Sequence, residues 1–309
     1  MHHFFIRLMS PTQSGGRAAK VLVRALLGLC LLPALAFAAD TPEVAPLSLP
    51  GAQSFVYKAQ ADWELRLHVV SPAGGKPSDR RTAVLAFFGG GWSSGTPERS
   101  IGWARWAASQ GMVGIAADYR TRQRFQTAPE ASIADGRSAL AWVAAHAAEL
   151  GLDPQKIVVM GSSAGAHVAA WTALSHNAPW PDEQPRQVLP AAVMLVSPVT
   201  DTKAGGYGGP ARFGDSPARA LAASVTDHLN PGLAPTLVFH AVQDKTVPYA
   251  NSEAFCAAMR TQQNRCDLVT FTEGGHTFYA QSQGGALALE KIYRDMQAFI
   301  ESLGLWPLP

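Results

Sequence analysis

The chain has 309 residues, of which 47% are hydrophobic and 16% are charged, with a formal net charge of +2. This composition supports one large hydrophobic core, or at most two domains, and it excludes a disordered or collagen-like chain. Four basic residues, Arg7, Arg17, Lys20 and Arg24, lie in the first 38 positions, which contain no acidic residue. Without these four, 21 of the 25 basic residues remain against 23 acidic ones. The rest of the chain therefore lacks the basic excess that indicates nucleic-acid binding.

The first 38 residues have the pattern of a secretory signal peptide. Basic residues up to Arg24 precede an apolar run over 25–35, and Ala36-Phe37-Ala38 forms a small-x-small cleavage site. A membrane anchor is the alternative, but this run is short for a bilayer span and contains Pro33. The sequence thus predicts cleavage near Ala38, a periplasmic or secreted protein, and no stable membrane insertion afterwards.

Beyond the signal, strand and helix patterns alternate. Residues 39–60 form a Pro-rich N-terminal segment, and Glu64–Val70 alternates apolar and polar residues like a half-buried strand. Most of the further predicted strands are short apolar runs, which are typical of sheets covered on both faces. They are Ala83–Phe88, Met112–Ala117, Lys156–Met160, Ala191–Val196, Thr236–His240 and Cys266–Phe271. The predicted helices are Ile101–Gln110, Ser132–Leu150, Ala164–Leu174, Ala250–Arg260 and Ala286–Leu303. This order predicts one α/β domain over 61–309, with a mostly parallel sheet between helices, while His176–Pro190 and Thr200–Asp215 are predicted loops.

A tight turn between a predicted strand and a predicted helix carries the candidate nucleophile. Lys156–Met160 runs directly into Gly161-Ser162-Ser163-Ala164-Gly165, from which the helix starts. A serine hydroxyl needs exposure and a base to act as a nucleophile, and a sharp turn lifts Ser163 above the sheet. Chance alone produces G-x-S-x-G in on the order of one chain in ten of this length. The strand–turn–helix context therefore singles out Ser163, and Ser162 is expected to point away from the site.

The predicted partners of Ser163 follow it in the order acid, then base. His276 comes after the strand Cys266–Phe271, and two preceding glycines let its loop reach over the strand ends. Asp244 follows the strand Thr236–His240, at the carboxyl end where site residues collect in open α/β sheets. Its role would be to orient His276 and to stabilise the imidazolium. Asp201, after another strand end, is the alternative acid.

Two further histidines, His240 and His167, have predicted structural roles. His240 is expected to support the Asp244 loop. His167 lies one turn past Ser163 on the same helix, and packing is its expected role.

Two cysteines remain after signal cleavage. Cys256 lies in a helical pattern and Cys266 begins a strand. In an oxidising compartment they are expected to form a disulfide that stabilises the fold by about 2–3 kcal/mol. Two unpaired buried thiols are the alternative.

Together these motifs resemble the esterase/lipase branch of the α/β-hydrolases, and in particular small bacterial carboxylesterases of the acetyl-xylan or feruloyl esterase kind. The resemblance covers roughly residues 60–303 and rests on Gly89-Gly90-Gly91-Trp92, Gly161-x-Ser163-x-Gly165, Asp118-Tyr119-Arg120, Gly151-Leu152-Asp153-Pro154, Asp244 and His276. It implies an α/β-hydrolase fold with a minimal cap, the triad Ser163, His276 and Asp244, and oxyanion donors on the backbone of Ala164 and of Gly90 or Gly91. Many relatives have a histidine before the three glycines, where this chain has Phe88, so the support of that loop is expected to differ.

The function implied is hydrolysis of short-chain acyl esters through an acyl-enzyme, with acetyl or feruloyl groups on carbohydrate as candidate substrates. Trp92, Tyr207 and Phe278 are candidate substrate-binding aromatics. The expected partner is a small-molecule or carbohydrate ester, and no cofactor, metal or nucleic acid is expected. Two alternatives remain: a peptidase of the prolyl-oligopeptidase type, for which the sequence shows no large extra domain, and an inactive binding protein on the same fold.

Overall fold

A computed structural model describes residues 43–175, 180, 182–183, 185 and 188–307, so the predicted signal peptide and His176 lie outside the described residues. The strands are β1 (Gln53–Gln60), β2 (Trp63–Val70), β3 (Arg81–Phe87), β4 (Val113–Ala117), β5 (Leu152–Ser162), β6 (Ala192–Val196), β7 (Thr236–Ala241) and β8 (Cys266–Phe271). The α-helices are α1 (Ile101–Ser109), α2 (Arg122–Phe125), α3 (Pro129–Ala145), α4 (Ala164–Leu174), α5 (Pro217–Ala222), α6 (Tyr249–Thr261) and α7 (Ala286–Ser302). None of the helices in these ranges is long and apolar enough to cross a membrane.

The eight strands form one sheet in the order β1-β2-β4-β3-β5-β6-β7-β8. β1 and β2 pair antiparallel, β2 also pairs antiparallel with β4, and the remaining pairs are parallel. The predicted mostly parallel sheet is therefore confirmed. The carboxyl ends of β3 to β8 meet at one edge, where ligand sites form in such sheets.

Helices cover both faces of the sheet, which explains why its central strands are apolar throughout. In β3, Val84 and Ala86 belong to the hydrophobic cluster that includes α1 and α7, while Leu85 and Phe87 belong to the cluster that includes α3, α4 and α6. α4 is buried at every residue because it lies between the sheet and its neighbouring helices. The nucleophile turn at its start is thus anchored in the largest core of the molecule.

Some boundaries differ from the sequence prediction. Residues 39–60 were expected to precede the domain, but β1 is the edge strand of its sheet, so the domain begins before residue 61. In β1 only Tyr57 is buried, so the strand lacks an apolar alternation that would have revealed it. α3 begins at Pro129, where a proline fits because its missing N–H is not needed in the first turn.

A disulfide joins Cys256 in α6 to Cys266 at the start of β8, with 5.3 Å between the Cα atoms. Both cysteines are buried. The cross-link ties α6 to the strand that leads into the His276 loop.

Candidate active site

Ser163 lies at the turn between the end of β5 and the start of α4. Its backbone has φ 54° and ψ −123°, a conformation that side-chain-bearing residues rarely adopt. The turn is crowded, because a Cβ added at Gly165 would lie 2.2 Å from the carbonyl oxygen of Phe88. The Ser163 N–H donates to the carbonyl oxygen of Val196 at the end of β6, at 2.9 Å. These constraints hold the serine at the carboxyl edge of the sheet, as the motif predicts.

The structure brings a histidine and an aspartate to this serine. Ser163 Oγ lies 2.8 Å from His276 Nε2, and His276 Nδ1 lies 2.7 Å from Asp244 Oδ2. Both distances are those of hydrogen bonds in a Ser–His–Asp relay. Asp201 instead accepts a hydrogen bond from the backbone N–H of Lys203 at 2.7 Å. Of the two acids considered, Asp244 is therefore the one placed against His276.

The Asp244 carboxylate is held by an extensive set of donors. Oδ1 accepts from the backbone N–H groups of Thr246 and Val247 at 2.8 and 2.9 Å, and Oδ2 also lies 3.1 Å from His240 Nε2. Burial by itself would raise the pKa of Asp244, but the hydrogen bonds from His240, His276 and Val247 outweigh it and hold that pKa well below its usual value. An ionised carboxylate at this position accepts the hydrogen of His276 Nδ1 and so fixes the orientation and tautomer of the imidazole.

His240 is fully buried and contacts the same Asp244 oxygen, Oδ2, as His276. Because a carboxylate only accepts hydrogen bonds, His240 Nε2 must carry the hydrogen that it shares with Asp244. Nδ1 lies 2.7 Å from Ser252 Oγ, where it can accept the hydroxyl proton. This second Ser–His–Asp arrangement is buried, and the expected supporting role of His240 agrees with it.

The glycine loop after β3 lines the same cleft as Ser163 and His276. Gly90 has φ 149°, and a Cβ there would lie 2.0 Å from the carbonyl oxygen of Ser94, so only glycine fits. Gly91 follows with φ 61°. The loop turns back on itself, since the N–H groups of Ser93 and Ser94 both donate to the Gly90 carbonyl oxygen.

Phe88, the position that departs from many relatives, supports this loop by stacking. Its ring lies against Tyr119, with centroids 4.0 Å apart and planes within 10°. The Tyr119 hydroxyl donates to the Phe88 carbonyl oxygen at 2.6 Å. Both side chains are fully buried. The sequence did not reveal Tyr119 as a partner, because the two residues are 31 positions apart and lie at the ends of neighbouring strands.

Two further polar groups of the cleft were missed or misplaced by sequence reasoning. Ser197, at the carboxyl end of β6, donates from Oγ to the backbone oxygen of His276 at 2.9 Å. Its position directly after a strand is the signal that could have identified it. Ser162 was expected to point away, but it lines the cleft with Tyr279, and its Oγ faces the glycine loop, 3.3 Å from where a Cβ of Gly89 would lie. That expectation is wrong, and the cleft, with a volume of about 340 Å³, has a polar wall on this side.

The three candidate aromatics have different positions. Tyr207 lines the cleft beside the glycine loop. Trp92 is 1% exposed and packs against His167 and Phe213 at centroid distances of 5.2 and 6.1 Å, so its indole lies behind the cleft. Phe278 is buried against Phe271 at 4.4 Å and also lies outside the cleft. Neither Trp92 nor Phe278 therefore lines the catalytic cleft, contrary to their prediction as substrate contacts there, because both rings pack in the core. Trp92 instead lines the pocket that adjoins the cleft.

Expected packing is observed for His167. It is fully buried, and its Nε2 donates to the carbonyl oxygen of Ala223 at 2.8 Å. Across the described residues, no group of three or more His, Cys, Asp or Glu side chains could hold a metal ion.

Comparisons with known proteins show that this chain is similar to esterases. The family model described as BD-FAE matches residues 67–203. Esterase LipQ of Mycobacterium tuberculosis is 30% identical over 199 residues, which are 60% of this chain and 47% of LipQ. The match therefore spans about half the length of that relative.

The similarity to a solved esterase is more complete. Apo esterase 2 of Thermogutta terrifontis is 37% identical, with a TM-score of 0.78, and the match covers 84% of this chain and 97% of that one. The same enzyme has been solved with butyrate bound (36% identity, TM-score 0.75) and phosphorylated by paraoxon (38% identity, TM-score 0.76), with the same coverage of both chains.

Proposed function

This chain belongs to the α/β-hydrolase esterases, and we propose that it is a serine carboxylesterase that hydrolyses short-chain acyl esters through Ser163, His276 and Asp244. The observation that carries the proposal is the continuous hydrogen-bonded relay from Ser163 through His276 to Asp244. Ser163 Oγ lies 2.8 Å from His276 Nε2, and His276 Nδ1 lies 2.7 Å from Asp244 Oδ2, in a cleft that the glycine loop lines. The paraoxon-modified relative supports a nucleophilic mechanism of this kind.

In the proposed reaction, His276 Nε2 takes the proton of Ser163 as its oxygen attacks the ester carbonyl carbon. Backbone N–H groups of Ala164 and of Gly90 or Gly91 stabilise the oxyanion that forms. Protonated His276 then gives its proton to the leaving alcohol, which leaves an acyl group on Ser163. Water, deprotonated by His276, attacks the acyl carbon. The bond to Ser163 Oγ then breaks, His276 returns the proton to this oxygen, and the acid is released.

Ser163 and its neighbour Ser162 provide a matched test. Ser163→Ala should lower kcat for 4-nitrophenyl acetate by at least about 10⁴-fold, because the nucleophile is lost. Ser162→Ala should keep most of the activity, and only the wild type and Ser162→Ala should gain the mass of a fluorophosphonate probe. Activity and labelling that survive Ser163→Ala would refute the proposal.

The acyl chain is proposed to be short, because the cleft is small and lies at the lower end of the volumes of ligand pockets. The butyrate complex of the relative supports this. Across 4-nitrophenyl esters, kcat/KM should be highest from acetyl to butyryl and should fall steeply by decanoyl. Acetylated and feruloylated oligosaccharides test the proposed carbohydrate esters. Peptide amides cleaved as fast as esters would favour the peptidase alternative.

Export to the periplasm or medium is also proposed. It is supported by the signal-peptide pattern over residues 1–38 and by a disulfide, a bond that persists in oxidising compartments. Cell fractionation with N-terminal sequencing should find a mature chain that begins at about Ala39. An uncleaved cytoplasmic protein would contradict this part.

A further inference from the structure

A second pocket adjoins the catalytic cleft and shares Gly91 with it. It has a volume of about 560 Å³. Two of its lining residues, Arg122 and Arg212, are cationic, and no Asp or Glu is among the described residues that line it. The charge of this pocket is therefore positive, in contrast to the near-neutral balance of the chain as a whole.

Arg212 is half-buried and held only by neutral groups. Nη1 donates to Ser93 Oγ at 3.0 Å and to the Gly91 carbonyl oxygen at 3.5 Å. Nη2 donates to the hydroxyl of Tyr207 at 3.2 Å, and the guanidinium also lies over the Tyr207 ring at 5.3 Å. These contacts position the cation between the two pockets without neutralising it.

Other arginines near the site have carboxylate partners. Arg99, in the catalytic cleft, pairs with Glu43 at 2.8 Å, and Arg219 pairs with Glu130. In the part of the chain that the structure describes, neither Arg212 nor Arg122 takes part in an ion pair. Partial burial of an uncompensated cation is costly, and a planar guanidinium matches a carboxylate with two parallel hydrogen bonds.

From this arrangement we propose that the second pocket binds a carboxylate of the substrate, and that the enzyme prefers esters whose acyl or alcohol part carries one. This inference rests on the proposed esterase function. Arg212 is the anchor, because its contacts fix its position beside Gly91, where the reacting ester lies. Arg122 is exposed and adds long-range attraction at the rim.

Two pairs of substrates test the proposal on each side of the ester. Mono-(4-nitrophenyl) glutarate, compared with its methyl ester, places the carboxylate on the acyl side. The 4-acetoxybenzoate anion, compared with its methyl ester, places it on the alcohol side. In wild type, one pair should show a charged-to-neutral ratio of kcat/KM of about tenfold or more, and the ratio should fall as salt screens the charges.

Substitutions identify the residue responsible. Arg212→Gln should lower that ratio by about tenfold and Arg212→Lys by less, since only the bidentate geometry is lost. Arg122→Gln should lower it by about threefold, as expected of an exposed charge. Arg294→Gln, an exposed arginine on α7 that lines neither pocket, is the matched control and should leave the ratio unchanged.

The outcomes separate this inference from the function on which it rests. A ratio near one in wild type, or a high ratio that both Arg212→Gln and Arg122→Gln leave intact, would overturn the carboxylate pocket while leaving the esterase in place. Absence of hydrolysis of all four esters would count against the esterase. Calorimetry with monomethyl glutarate against dimethyl glutarate then tests the pocket without catalysis: binding of the anion alone, weakened by Arg212→Gln, supports it, and equal binding or none overturns it.

Discussion

The nucleophile Ser163 and the base His276 are held in different ways. Ser163 lies between the buried end of β5 and a helix that is buried at every residue. His276 lies on a loop whose preceding residues, Glu273, Gly274 and Gly275, are exposed. Hydrogen bonds to Asp244 and Ser197 hold it in place of core contacts. Changes near Ser163 should therefore act mainly on stability, and changes near His276 mainly on activity.

The largest expected effect is a loss of activity on substitution of Asp244, which holds the base His276. Asp244→Asn should lower kcat by about 10⁴-fold, because His276 loses both its fixed tautomer and the charge that stabilises its protonated form. Asp201→Asn is the matched control and should stay within about twofold of wild type in the same chromogenic assay. The reverse result would make Asp201 the acid.

On the nucleophile side, Gly165→Ala should destabilise the fold by about 3 kcal/mol or more. The new methyl group would meet the carbonyl oxygens of Phe88 and Phe87 at 2.2 and 2.5 Å, and neither backbone can move freely. Gly275→Ala, where a Cβ has nothing within 4 Å, should change the unfolding free energy by less than about 0.5 kcal/mol. Similar denaturation midpoints for the two variants would contradict the contrast between the two sides.

The disulfide between α6 and β8 should contribute about 2–3 kcal/mol to the unfolding free energy, because it lowers the conformational entropy of the unfolded chain. Urea unfolding of the Cys256→Ala/Cys266→Ala double variant, compared with wild type, measures this contribution. Reductant should destabilise the wild type but leave the double variant unchanged. Equal sensitivity of both proteins to reductant would disprove the assignment of the effect to this bond.

Lowering the pH should reduce the stability of the fold through His167, which lies on α4 one turn after Ser163. Burial, only partly opposed by the hydrogen bond to Ala223, lowers the pKa of His167 from 6.5 to about 4. Between pH 4 and pH 6.5 the unfolded state therefore binds more protons than the folded state. The contribution of His167 to the unfolding free energy is fully present above pH 6.5 and falls by roughly 2–3 kcal/mol as the pH drops towards 4. His167→Gln should flatten the pH dependence of the unfolding free energy over that interval. His68, whose pKa burial also lowers to about 4, should leave a residual slope. An unchanged slope in His167→Gln would refute the assignment.

The smallest effect is expected at Ser197. Ser197→Ala removes the hydrogen bond to the His276 backbone and should lower kcat/KM about fivefold, with little change in melting temperature. Ser252→Ala, which affects His240 instead, is a useful comparison because it keeps the direct support of the His276 loop. A loss of stability without a loss of activity in Ser197→Ala would place this serine in a purely structural role.

Much of the fold could be predicted because burial on both faces leaves a plain apolar signal. α4 was predicted with its observed bounds, and the central strands β3 to β7 were predicted to within a few residues. The edge strand β8 was also predicted with its observed bounds. β1, the other edge strand, was missed because its apolar residues Phe55, Val56 and Tyr57 are consecutive rather than alternating and only Tyr57 is buried. The short α2 and α5 were missed for a similar reason, because four and six residues hold too little periodicity.

The sequence by itself determined which residue types follow the strand ends, and this was enough to propose Ser163, His276 and an acid. Only the tertiary structure decided between Asp244 and Asp201 as the acid. It also showed that Tyr119 stacks on Phe88 and that Ser162 lines the cleft. The burial of Trp92 and Phe278 in the core was likewise visible only in the structure. The physical reason is that local patterns report burial and period along one element. Which side chains meet depends on the pairing of strands and on packing between residues that are far apart in the chain.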